Sequence, residues 1–180
     1  MKTICIAILL ASVLCFGAIG SSAFAQDVDT EAIQVFLKKY VGEWSVDATV
    51  YSADGGEFYA TGKETVRMVG EWLTSDSEIV EAQITFHGVI GFDEEKEKIV
   101  GVGIASNKAV MILSEGEFNK ERNELVMFME GSNMAGQLVK QKEITTFPKD
   151  GERLTEIYQR VSDDDEWEIL FELTYARTEK

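Results

Sequence analysis

Between Ile84 and Ser106 the chain reads ITFHGVIGFDEEKEKIVGVGIAS, and this stretch restricts the choice of fold more than any other. Two arms rich in valine, isoleucine and phenylalanine flank the charged segment from Asp93 to Lys98, the pattern of a β-hairpin. Each arm carries two glycines, Gly88 and Gly91 in the first, Gly101 and Gly103 in the second. Glycine inside a strand marks a bulge, a bend or a close approach by another group. Bends of that kind curl a sheet toward closure. A curved antiparallel sheet is therefore expected, and the remaining chain decides whether it has enough strands to close.

Upstream, one segment has a helical period. In Asp27–Val41, Ile33, Phe36, Leu37 and Tyr40 fall on one face. Asp29 is placed to cap its start, Lys38 and Lys39 suit its last turn, and Gly42 is placed to end it. Every later segment alternates or runs as a short apolar block. Strand one is expected over Glu43–Tyr51, strand two over Tyr59–Val69 and strand three over Ser77–Ile84, with Gly70–Leu73 as a break. The hairpin supplies strands four and five. Strands six to ten follow at Ala109–Phe118, Glu124–Glu130, Gln137–Phe147, Arg153–Val161 and Glu166–Arg177. The last has the clearest alternation, with Trp167, Ile169, Phe171, Leu173 and Tyr175 in phase. One helix followed by about ten strands joined by short turns predicts an all-β fold, an antiparallel up-and-down barrel or a sandwich. Connections this short favour sequential neighbours.

The first 25 residues are expected to lie outside that domain. Lys2, the apolar run Ile4–Ile19 and the small-x-small site Ala23–Ala25 read as a cleaved secretory signal peptide. The competing reading is an uncleaved anchor, for which the run is short. Both cysteines, Cys5 and Cys15, fall in this segment. The single domain expected over residues 26–180 would then carry no disulfide and no thiolate metal site, and would depend on its core. An exported protein, periplasmic or extracellular, is the expectation. The formal charge of −15 excludes the basic surface that nucleic acid or anionic lipid requires. No nucleic-acid partner and no membrane contact by the mature chain are expected.

Several pieces together resemble a known family. Gly42-Glu43-Trp44, Gly70-Glu71-Trp72-Leu73, Gly88-Val89-Ile90-Gly91-Phe92-Asp93, Ser114-Glu115-Gly116-Glu117-Phe118 and Leu173-Thr174-Tyr175-Ala176-Arg177 are similar, in order and spacing, to an uncharacterised bacterial group of calycin-like proteins, the domain-of-unknown-function family DUF1579. The resemblance spans nearly all of residues 26–180. It implies a lipocalin-like barrel with the helix near one mouth, and no established activity. Similar proteins tend to carry a tryptophan and an acidic residue in strand five, where this chain has Gly103 and Ala105. Either that small face leaves room in the barrel, or a neighbouring side chain fills it.

The polar inventory is thin in chemistry. His87 is the only histidine, too few for a His-rich metal site or a triad. As a haem ligand it would lie in an early strand, whereas similar haem barrels present theirs from a late one, and an ordinary hydrogen-bonded or exposed histidine is the competing reading. Asp163-Asp164-Asp165-Glu166 lacks the spacing of a calcium loop. Ser114 lacks a nucleophile elbow. No cofactor and no metal are expected. Trp44 and Trp72 suit a pocket wall or a core. Arg67, Lys140 and Lys142 are strand cations that would bind a carboxylate only if they faced inward. The candidate ligand-contacting residues are Trp44, Arg67, Trp72, His87, Gly103 and Lys142. A carrier of a small hydrophobic or amphipathic molecule is the leading expectation. The alternatives are an interaction module with a packed barrel, and an enzyme using His87 and Glu115 at the mouth as acid and base.

Overall fold

The structure, a computed structural model, describes residues 28–52, 55–106, 111–132, 138–160, 162 and 166–178. The expected signal peptide and the aspartates 163–165 lie outside the described residues.

Helix α1 (Thr30–Lys38) is followed by ten strands: β1 (Gly42–Tyr51), β2 (Glu57–Val69), β3 (Trp72–Ile79), β4 (Ile84–Asp93), β5 (Lys98–Ala105), β6 (Met111–Asn119), β7 (Glu124–Ser132), β8 (Leu138–Thr146), β9 (Glu152–Arg160) and β10 (Glu168–Arg177). Each strand pairs antiparallel with its sequence neighbours, and β1 pairs with β10, so the sheet closes into an up-and-down barrel. Closure removes the free edges that an open ten-stranded sheet would expose.

Asp29 caps α1, its Oδ1 accepting the Ala32 N–H at 2.9 Å. The helix lays Ile33, Phe36 and Leu37 over one end of the barrel, where all three are buried. Phe36 meets the rings of Phe118 at 4.7 Å and Phe147 at 5.3 Å. Burying each of these side chains stabilises the arrangement by roughly 1.5–3 kcal/mol. Two polar ties fix the helix to the β6–β7 turn: Lys120 reaches Asp29, and the Lys39 Nζ donates to Asn123 Oδ1 at 3.2 Å. The core lies beneath the helix, in Trp44, Val46, Val66, Leu73, Ile99 and Leu125.

Three expectations change. The break after strand two is shorter than expected. Gly70, at φ +64°, turns the chain with Glu71 alone, so β3 begins at Trp72 and ends at Ile79, and the turn before β4 falls at residues 80–83. The hairpin turn is tighter than the charged segment, because Asp93 and Lys98 are themselves paired. The alternation of β10 is interrupted. A bulge between Ile169 and Phe171 shifts its register against β9, and an extra residue reverses the facing of everything before it. Phe171 stays in phase with Leu173 and Tyr175 inside, while Ile169 pairs with the outward Tyr158. Trp167, in phase with the inward Phe171, Leu173 and Tyr175 by sequence, lies outside the barrel with Lys142 and Arg160 over its ring at 4.8 and 4.5 Å.

Candidate functional site

Register and burial together divide each strand into an inner and an outer face. Inner residues at the helix end are buried. Among them is a polar cluster the sequence reading missed. Arg153 is 2% exposed and pairs with Glu64. Its guanidinium lies 3.5 Å from the centre of the Tyr175 ring, 4.9 Å from that of Tyr40 and 5.2 Å from that of Trp44. Glu64 also accepts from Ser77 Oγ at 3.1 Å. Beside it, Thr145 and Thr155 share a buried hydroxyl contact of 3.0 Å, and Thr145 Oγ1 donates to Glu143 at 3.4 Å. Burial pushes the Glu143 carboxyl above the ordinary glutamate range, with the Arg153 charge and the Thr145 bond acting the other way. Burial likewise raises the Tyr40 and Tyr175 phenols. This cluster forms a floor. One charge of each sign is neutralised there by direct pairing, and Glu143 has no cation bonded to it among the described residues.

Above the floor, the inner face changes character. Across β3 to β6 the facing residues Ser75, Gly88, Gly103 and Ile112 are aligned in register, with Gly101 and Ser114 paired in the next inner row toward the helix. None of these is fully buried. A Cβ built on Gly103 would meet only the His87 carbonyl oxygen, at 3.9 Å. Opposite them stand Met129, Gln141, Ile157 and Phe171, all half-buried. The Gln159 Oε1 atom is buried with no hydrogen-bond partner among the described residues. At the far rim Phe58 and Phe86 are 52% and 38% exposed although they continue inner rows. This half-buried interior, the lumen, is closed below by α1, and at the opposite rim Ala105 and Val139 are buried beside the exposed Phe58 and Phe86.

Of the six residues expected to contact a ligand, two are on this inner face. Trp44 is in the floor, buried, with its Nε1–H donating to the Tyr40 carbonyl at 2.7 Å. Gly103 is in the wall. The other four are outside. Arg67 and His87 flank Asp76, at 3.5 Å to its Oδ2 and 2.5 Å to its Oδ1, on exposed positions of β2, β3 and β4. Trp72 lies across Gly91, where any Cβ would collide with its indole. Lys142 stacks over Tyr158 at 4.9 Å and Trp167 at 4.8 Å. Lys140, in phase with Lys142, is outward too. The structure therefore does not gather these residues into one site, and the inward cation is Arg153 instead. His87 faces away from the lumen, so it presents no ligand to a group held there. It also stays apart from Glu115, which is two strands away in another row and held by Lys96 and Lys98 at 2.8 and 3.5 Å.

Phase was the available signal for the floor. Glu64 alternates with Gly62 and Val66, and Arg153 with Thr155 and Ile157, so both share the apolar face of their strands. Arg67 is out of phase with Val66 and Met68, which already placed it outside.

Comparison with known proteins agrees with this architecture. The barrel resembles the crystal structure of Rv2717c from M. tuberculosis, with a TM-score of 0.58 and 10% identity over 82% of this chain and 98% of that one. It resembles equally the S-type phycobiliprotein lyase CPES from Guillardia theta, with a TM-score of 0.58 and 11% identity over 86% and 99%. Likeness at these identities speaks to the fold alone. No curated protein sequence matches the chain. The family model for proteins of unknown function DUF1579 matches residues 30–177, nearly the whole barrel with its helix, and the chain belongs to that family.

Proposed function

We propose that this protein is an exported, non-catalytic carrier that holds one small hydrophobic or amphipathic molecule in the barrel lumen. The observation that carries the reading is the wall of glycine and serine at mid-barrel, which faces the axis and is only half-buried. A small barrel has room for one ligand only where its inner side chains are short. Gly103 supplies that room, whereas Ser75 and Ser114 fill the space beside Gly88 and Gly101, and the methionine, isoleucine and phenylalanine opposite supply apolar contact.

The polar groups narrow the ligand class. Arg153 is already committed to Glu64 and to the aromatic rings around it. What the lumen offers are acceptors: the Glu143 carboxyl and the buried Gln159 oxygen, which has no partner among the described residues. A ligand with an N–H or O–H donor at its inner end satisfies them, whereas a carboxylate brings only further acceptors. The ligand is thus an apolar molecule ending in an amine, amide or hydroxyl.

Displacement of the apolar fluorophore N-phenyl-1-naphthylamine tests this. Long-chain amines and alcohols should displace it at least about tenfold more tightly than the matching fatty acid, a margin of roughly 1.4 kcal/mol. Absence of any probe binding, together with a bare chain mass in native mass spectrometry of protein from its own host, would refute the carrier. Export rests on the leader-like residues 1–25 and on a cysteine-free remainder. Sequencing the N-terminus of that same material should begin at Gln26.

A further inference from the structure

Two side-chain amides stand directly across from each other on the inner face. Gln141 of β8 pairs with Gln159 of β9, one inner row farther from α1 than Glu143 and Ile157. Inner neighbours on paired strands lie about 5 Å apart at Cβ, within reach of a bond between two such amides. Gln159 Oε1 is nevertheless buried with no hydrogen-bond partner among the described residues, Gln141 included. The large majority of buried polar side-chain atoms in folded proteins have a partner, and leaving one without is costly. A ligand that brings a donor removes that cost. The backbone is irregular at the same place. The β10 bulge falls between Ile169 and Phe171, against Tyr158 and Ile157, the two residues before Gln159. Bulges recur beside functional sites, where they re-aim a side chain or end a pairing.

We infer that Gln141 and Gln159 form a clamp for the ligand's head group, and that this head group is a neutral carboxamide. The inference rests on the carrier reading and selects within the ligands that reading allows. Each glutamine amide carries N–H donors and a carbonyl acceptor, and either turn of either amide presents both kinds of atom. A ligand amide answers in kind, donating to Gln159 Oε1 and accepting from the Gln141 amide. An ammonium has donors alone and a carboxylate acceptors alone. An alcohol has its donor and its acceptor on one atom, too short to span the pair. Charge points the same way. Ser75 and Ser114 on the inner face are neutral, the Arg153 charge is paired with Glu64, and burial works against a charge on Glu143. Glu168, the β10 partner of Gln159, is exposed, and an ion pair with an exposed carboxylate contributes little.

Displacement of N-phenyl-1-naphthylamine by dodecanamide, dodecylamine, dodecanol and dodecanoate tests the clamp. Near neutral pH, dodecanamide should bind the wild type at least about tenfold more tightly than dodecanol or dodecylamine, the size of effect expected when a buried polar group gains its partner. Gln159→Leu and Gln141→Leu keep much of the side-chain volume. Each should bring the amide-to-alcohol ratio to within about twofold. A purely structural part for these residues would move the melting temperature and leave that ratio alone. In a wild type that binds the probe, an amide no tighter than the alcohol overturns the clamp and leaves the carrier standing. An amide preference that survives both variants overturns it as well. A wild type that binds no probe sinks the carrier, and the clamp with it.

Discussion

At the helix end of the barrel the inner face carries Trp44, Phe92, Ile99 and Phe118. Four residues along the same strands toward the opposite rim, it carries Ala48, Gly88, Gly103 and Ser114. The backbone, pairing and closure are continuous between the two levels, separated by about 14 Å of strand. Only the side-chain volume differs. One sheet thus carries bulky side chains in its lower half and small ones in its upper half, the difference on which the proposed carrier rests. A β-barrel can divide stability from binding in this way because its inner positions recur every second residue, so each level is set independently. The cost of opening the upper half is met below, where the helix and the aromatic rings around Arg153 fill the space.

Removing the Arg153 side chain should break the lower half most severely. Arg153→Ala leaves Glu64 buried without its cation, and breaking a buried pair costs about 3–5 kcal/mol. Urea unfolding should show a loss of that size. Arg153→Met with Glu64→Leu should recover most of it, since the desolvated charges leave together. A double variant no better than the single one would mean that the rings stacked on the guanidinium, not the ion pair, carry the stability.

Filling the upper half should do the reverse. Gly103→Trp places an indole where a Cβ meets almost nothing. It should weaken lumen binding of the naphthylamine probe at least about tenfold, roughly 1.4 kcal/mol, with a change in unfolding free energy below about 1 kcal/mol. If the variant instead unfolds as readily as Arg153→Ala, the wall is packed and the division between the two halves fails.

The helix closure is a smaller contribution. Asp29→Ala removes the cap on α1 and the partner of Lys120; loss of an N-cap costs about 1 kcal/mol. Hydrogen exchange should quicken in α1 while β4 to β6 keep their protection.

Much of the barrel was legible because strand alternation and polar turns are local signals. Asp29 at the helix start, the hairpin about Glu94–Glu97 and the sequential pairing all follow from short stretches of chain. The site was less legible. Aromatic and cationic residues drew attention by their chemistry, yet Arg67, His87 and Lys142 lie on outer faces, and their phase within each strand was the better guide. Glu64, Arg153 and Glu143 share the inner phase, but whether a charged residue in an apolar row is buried depends on partners from strands far apart in sequence: Glu64 comes from β2 and Arg153 from β9. The β10 bulge is a different case. A single extra residue at the Ile169/Phe171 step moved Trp167 from the inward phase to the outside, and no local pattern announced it. The outer face of β5 was hidden for a similar reason. Val100, Val102 and Ile104 alternate with glycine, glycine and alanine, so the strand reads as if the larger residues faced the core. The pairing of Gly101 and Gly103 with inner positions shows the opposite.

Glu143 joins the two halves, and its titration gives the finest test of the boundary between them. Its carboxyl is raised by burial, with Arg153 and Thr145 offsetting part of that effect. A carboxyl whose folded pKa exceeds its unfolded value favours the fold most fully below the unfolded value. That contribution is lost as the pH rises through the folded one, because the folded state holds the proton longer. Glu143→Gln keeps the shape and removes the titration. The variant should therefore melt higher than wild type near pH 7.5 and converge with it near pH 4, the gap being smaller than the effects above because the two attractions persist in the wild type. Ligand binding sharpens the sign. An amine pairs with the ionised carboxyl, so amine affinity should rise with pH in the wild type and stay flat in the variant, while an alcohol responds weakly in both. If amine affinity is flat in both proteins, Glu143 belongs to the sealed floor and the lumen ends above it. If only the melting difference is absent, water reaches the carboxyl freely and the lumen extends down to it.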